Sequence, residues 1–128
     1  MATATPSDRV YSDSHEWHKV EGDTLTLGLT SFAVEQLTDV TYVQMKPAGT
    51  KLKAGDPVGE VESVKTTSDV YSGVAGEIVQ VNSAAVEDPS LLNSDPYGKG
   101  WLLKIKIADK AGLSKLMDSA KYDATYHS

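Results

Sequence analysis

Trp101, Leu103, Ile105 and Ile107 alternate strictly around Lys104 and Lys106. A period of two places all four apolar side chains on one face of an extended strand, so this segment belongs to a sheet with one side buried. Leu25, Leu27 and Leu29 repeat the pattern between Thr24, Thr26, Gly28 and Thr30. Trp17–Val20 reads as an earlier strand, closed by the turn Glu21-Gly22-Asp23, and the β-branched and aromatic run Asp39–Met45 as a later one. Gly76–Asn82 adds another, and turns at Lys46-Pro47-Ala48-Gly49 and Gly55-Asp56-Pro57 leave room for one short strand between them. About seven short strands in 128 residues fit one small, mostly-β sandwich or barrel. Residues 1–10 are small and polar and are expected to form a flexible N-terminus, with a single domain over 11–128.

Helices are short and late. Thr30 or Ser31 is placed to cap a helix running to about Leu37, and Asp88-Pro89 to open a single turn through Leu92. After a possible cap at Asp109, Leu113, Leu116, Met117 and Ala120 follow the i, i+3, i+4, i+7 spacing of a C-terminal amphipathic helix.

The middle of the chain carries one unusual feature. Pro57 and Gly73 bracket a strand–turn–strand with Lys65 midway between them, so the lysine falls near the tip of a hairpin. Yet Val64-Lys65-Thr66 contains none of the Gly, Asn, Asp or Pro residues that usually announce a tight turn. Glu60, Glu62 and Asp69 surround the lysine in sequence; by composition alone they read as a solvated acidic face.

Several chemistries are poorly supported. With 12 basic and 18 acidic residues the net charge is −6, the wrong sign for a nucleic-acid or anionic-membrane surface. No cysteine is present, which removes disulfides, thiol nucleophiles and thiolate metal sites. His15-Glu16-Trp17-His18 resembles a zinc-protease motif, but the second histidine falls one residue too early, and on a strand positions 15 and 18 point to opposite faces. There is no serine-hydrolase elbow, phosphate loop or dinucleotide fingerprint. No apolar run approaches the roughly 18 residues of a spanning helix. The N-terminus has the pattern of neither a signal peptide nor a transit peptide. The chain is therefore expected to be soluble and intracellular, or a mature form whose targeting segment has been removed.

Val61-Glu62-Ser63-Val64-Lys65-Thr66-Thr67-Ser68-Asp69 resembles the lipoyl-attachment segment of the glycine cleavage system H-protein family. The resemblance extends through His15-Glu16-Trp17, Gly28-Leu29-Thr30, Asp39-Val40, Ser72-Gly73, Gly76-Glu77, Val81-Asn82, Asp95-Pro96-Tyr97-Gly98 and Gly100-Trp101, in family order and spacing from about Tyr11 to Tyr122. Thr38 departs from the family pattern, which has glycine there, and the local turn is where that departure would be felt.

The resemblance implies a lipoyl/biotinyl-type barrel-sandwich hybrid with short helices and a C-terminal amphipathic helix. It implies lipoic acid in amide linkage on Lys65, and a cleft in which Ser14, Glu16 and Asp69 surround the docked arm. It implies no catalysis by this chain. The chain would carry the aminomethyl group of glycine from a pyridoxal-phosphate glycine decarboxylase (P protein) to a folate-dependent aminomethyltransferase (T protein), and a dihydrolipoamide dehydrogenase (L protein) would reoxidise the arm. A lipoate ligase or octanoyltransferase would modify the lysine, and the carrier would act as a monomer. Absence of cysteine suits this role, because a free thiol on the chain would attack a lipoyl disulfide.

Three other readings compete. A biotinyl or lipoyl domain of a larger complex typically has methionines beside its lysine or Pro/Ala-rich linkers; here the neighbours are Val64 and Thr66, and no such linker is seen. A lipoyl-relay protein would share the attachment site. An unmodified interaction module would be indifferent to the loss of Lys65.

Overall fold

The computed structural model describes residues 5–126. Its strands are β1 (Val10–Tyr11), β2 (Glu16–Glu21), β3 (Thr24–Leu29), β4 (Val40–Met45), β5 (Lys51–Leu52), β6 (Pro57–Ser63), β7 (Thr67–Tyr71), β8 (Ala75–Val81) and β9 (Leu103–Asp109). They form two antiparallel sheets, one in the order β1-β2-β3-β9-β8-β5 and the other β4-β6-β7. The two short strands β1 and β5 form the edges of the larger sheet, which limits the unpaired backbone it presents.

Alternation decides which way each strand faces. On β9, Leu103, Ile105 and Ile107 point inward while Lys104 and Lys106 point out, and on β3 Leu25, Leu27 and Leu29 meet them. Val43, Val58, Val61, Val70 and Ile78 complete the same apolar cluster from the strands around it. Each such side chain, fully withdrawn from water, contributes about 1.5–3 kcal/mol. Trp17 packs on the opposite side of β2–β3, directly over Gly28; a Cβ there would stand 2.6 Å from the indole. With Tyr11 and Tyr122 it forms a second, aromatic cluster.

Helix α1 (Ser31–Leu37) forms as expected, with the Thr30 hydroxyl accepting from the Ala33 amide at 3.2 Å. It ends at Thr38, whose φ of 66° lies in the region that favours glycine. Asn93 spans that turn, donating to the Thr38 carbonyl at 2.6 Å and accepting from the Val40 amide at 2.9 Å. Two more short helices, α2 (Ser83–Glu87) and α3 (Leu91–Ser94), follow β8. The first was not expected. The second begins beyond Pro89, because Asp88, Pro89 and Ser90 are used in a turn whose carbonyls accept from Leu91, Leu92 and Asn93.

The tail needs a larger correction. Asp109 does cap, accepting from the Ala111 amide at 2.9 Å, but it starts a 3-10 helix, η1 (Lys110–Lys115), that stops before Leu116. Met117 then exchanges two backbone hydrogen bonds of 2.7 Å with Tyr11, which holds it extended. The C-terminal helix α4 (Ser119–Thr125) begins only after Asp118, whose carboxylate accepts from the Lys121 amide. Of the stretch expected to be flexible, residues 1–4 lie outside the described residues. Thr5 hydrogen bonds to Asp123, and Pro6 accepts from the Tyr11 hydroxyl. Arg9 stacks on Trp17 at 4.6 Å. Among the described residues no helix is long and apolar enough to cross a membrane.

Candidate functional site

Strands β6 and β7 form the hairpin, with Glu62 opposite Thr67, Val61 opposite Ser68 and Glu60 opposite Asp69. Its tip closes without glycine or asparagine because Ser63 supplies the missing turn chemistry. The Ser63 hydroxyl accepts from the Lys65 amide at 3.3 Å and the Thr66 amide at 3.2 Å, while the Ser63 amide donates to the Thr66 carbonyl at 2.8 Å. Neither Val64 nor Lys65 needs a left-handed backbone, so ordinary residues fit there. Val64 donates to the Asp39 carbonyl and so ties the tip to the start of β4. Lys65 is exposed at the apex.

A cavity of about 640 Å³ opens between β2, β7 and the tail. Glu16 lines it and is itself sealed from solvent. The turn before β2 brings Ser12 and Ser14 onto the same carboxylate. Oε1 accepts from both hydroxyls, that of Ser14 at 2.5 Å, and Oε2 accepts from the Tyr71 amide at 3.1 Å. Burial raises the Glu16 pKa above its ordinary value and outweighs the opposing pull of these donors. Leu116 and Met117 give the cavity apolar lining. Ser14 and Glu16, both expected at the site, are therefore brought together.

Asp69 is placed differently. It is exposed and lies two residues nearer the tip than Tyr71 on β7, beside Glu60 and Gln44 on the outer face of the small sheet. Tyr71 links it to the cavity: the Tyr71 hydroxyl approaches Asp69 Oδ2 at 3.4 Å, while its backbone amide holds Glu16. The charge on Asp69 raises the tyrosine pKa. Ser12 and Tyr71 were not singled out in the sequence. The hydroxyl–hydroxyl–carboxylate spacing Ser12, Ser14, Glu16 carried a signal; Tyr71, reached only through folding, carried none.

The two histidines of the motif near the N-terminus have other partners. His15 Nδ1 pairs with the Tyr122 hydroxyl at 2.8 Å, and His18 Nε2 accepts from the Gly73 amide at 3.0 Å. Among the described residues no group of three or more His, Asp or Glu side chains is arranged to hold a metal ion.

Two small sheets that sandwich one core, with a lysine held out on a hairpin between strands of the smaller sheet, define a barrel-sandwich hybrid of the lipoyl/biotinyl type. The glycine cleavage H-protein pattern matches residues 9–128. The glycine cleavage system H protein of Gloeobacter violaceus is 45% identical over 123 residues, covering 95% of each chain. That of Thermus thermophilus is 46% identical over 123 residues, covering 96% of each. The crystal structure of a glycine cleavage system H protein from Mycobacterium marinum superposes with a TM-score of 0.87 at 39% identity, covering 94% of this chain and 98% of that one. The chain belongs to the glycine cleavage H-protein family.

Proposed function

We propose that this chain is a non-catalytic lipoyl carrier, with lipoate in amide linkage to Lys65. The carrying observation is the exposed lysine at the apex of a hairpin whose strand β7 runs from the tip to Tyr71, on a cavity that the buried Glu16 carboxylate also lines. These residues suit such a group: a modifying ligase or octanoyltransferase has access to Nζ, and an acyl arm would find the apolar wall at Leu116 and Met117. When bound, lipoate supplies a dithiol–disulfide pair at the end of a long arm. The chain itself contains no cysteine to exchange with it.

The cargo is the aminomethyl group of glycine, taken up at the P protein and handed to the T protein, with the L protein restoring the disulfide. Each of those enzymes performs its own chemistry; this chain binds and shields. A protonated amine entering the cavity meets the Glu16 carboxylate and the Ser14 hydroxyl where water is scarce, and charge attraction strengthens as the local dielectric falls. Asp69, on the exposed part of β7, offers an outer carboxylate on the way from the tip. The carrier works as a monomer without nucleic-acid or membrane partners, in the compartment that holds its three enzymes. That is the cytoplasm in bacteria and the mitochondrial matrix in eukaryotes.

Reconstitution with the three partner enzymes tests this. Lys65→Arg should retain the fold and lose glycine-dependent release of carbon dioxide. Release at the wild-type rate would contradict the proposal.

A further inference from the structure

The turn that presents Ser14 and Glu16 has an unusual backbone. His15, the residue between them, has a φ of 73° and is one of two non-glycine residues of positive φ among those described. The conformation is held from several sides. The His15 amide donates to the Ser12 carbonyl at 3.1 Å, and its carbonyl accepts from the Thr30 amide at 3.0 Å. Its ring is enclosed by Phe32 at 4.8 Å, Tyr126 at 4.6 Å and Tyr122 at 5.9 Å between centroids. The Tyr122 hydroxyl lies 2.8 Å from both His15 Nδ1 and Thr30 Oγ1, joining the turn to the cap of α1. Burial lowers the His15 pKa, disfavouring the charged ring.

Tyr122 belongs to α4, and so does a wall of the cavity: Lys121 and Thr125, with Tyr126 just beyond the helix. One short helix thus forms part of the cavity and also grips His15, the residue between Ser14 and Glu16. A left-handed histidine costs more than a relaxed one and persists only where its surroundings over-determine it. If the grip is lost, the turn can rotate, and Ser14 is released from the Glu16 carboxylate, which water can then reach.

We infer that Tyr122 and His15 are positioning residues: the α4 hydroxyl locks the left-handed turn that aims Ser14 and Glu16 into the arm cavity. The helix is then part of the site and more than a closing element of the core. The inference rests on the cavity as the arm's resting place, and the two fail separately.

The test uses the full chain with the Glu16 carboxyl carbon followed by NMR during titration. Tyr122→Phe removes the hydroxyl but keeps the ring, which stacks on Tyr11 at 5.0 Å. Its Glu16 midpoint should fall toward that of an ordinary glutamate as the turn opens to water. Tyr97→Phe serves as control: it deletes a hydroxyl bonded to the Ser31 amide at 3.0 Å, and it should leave the midpoint unchanged. If Tyr122→Phe does not fold, His15→Ala carries the same comparison, since alanine keeps the strain of a positive φ but lacks the ring that Tyr122 holds. A midpoint equal to wild type in the folded variant, or a shift matched by Tyr97→Phe, overturns the inference.

A second reading uses lipoylated protein, reduced and alkylated with 2-bromoethylamine. Each thiolate displaces bromide, forming a C–S bond and a stable amine-tailed arm. This tail should shift the Ser14 and Glu16 amide signals in the wild type, and by less than half as much in Tyr122→Phe. Equal shifts in the two proteins overturn the inference. No shift in the wild type counts against the cavity as the arm's resting place, and the arm-free titration then decides the positioning role alone.

Discussion

Glu16 and His18 stand two residues apart on β2, both sealed from water, and burial moves their protons in opposite directions. The Glu16 pKa is raised, so below its raised value the native state holds a proton that the unfolded chain releases until about 4.5, and acidification through that window adds stability. His18 is lowered from 6.5 to about 4 by the loss of solvent around its ring, so between those values the unfolded chain binds a proton that the native ring refuses. Stability therefore falls as pH drops through that window, by up to about 1.4 kcal/mol per pH unit for this one group. Half-buried His15 acts in the same sense. His18→Gln keeps an acceptor for the Gly73 amide and removes the titration, so urea midpoints measured from pH 7 to 4.5 should decline less steeply in this variant. An unchanged decline would rule His18 out as a source of acid sensitivity. Thr38 makes the other residue-scale case. Its φ of 66° burdens a β-branched side chain, and Thr38→Gly should raise stability by about 1 kcal/mol, read as a higher denaturant midpoint at unchanged slope.

At the scale of elements, the hairpin shows both the reach and the limit of pattern reading. Pro57 and Gly73 bracket it and Lys65 lies at its apex, all legible in the chain. The turn's mechanism was hidden, because a serine hydroxyl replaces the glycine or asparagine a reader looks for. Ser63→Ala should speed hydrogen exchange at the Lys65 and Thr66 amides and cost about 1 kcal/mol; unaltered exchange would mean that another acceptor holds the tip. The tail failed differently. Leu113, Leu116, Met117 and Ala120 have helical spacing, yet Met117 is drawn into a backbone bridge with Tyr11, and no local window contains that partner. Thr30 as a cap and the alternation along β3 and β9 were legible because short-range contacts decide them.

For the whole molecule, the site is where its separate parts converge. The buried carboxylate comes from β2, its third donor from β7 and the apolar wall from the tail. Lys65 could be singled out only through its motif, and Ser14, Glu16 and Asp69 only through the family resemblance. Tyr71, Tyr122 and the wall at Leu116–Met117 needed the assembled fold. The packing of Trp17 over Gly28 holds the larger sheet to the aromatic cluster under the tail, so Gly28→Ala should cost about 2 kcal/mol and lower the melting temperature by several degrees. On the function proposed above, this fold carries a group on Lys65. The most direct measurement is an intact mass with peptide mapping after expression alongside a lipoate ligase and lipoate. The expected result is a single lipoyl increment on the peptide containing Lys65, absent in Lys65→Arg. An unmodified chain, produced by a ligase shown to be active on a control acceptor, would contradict it.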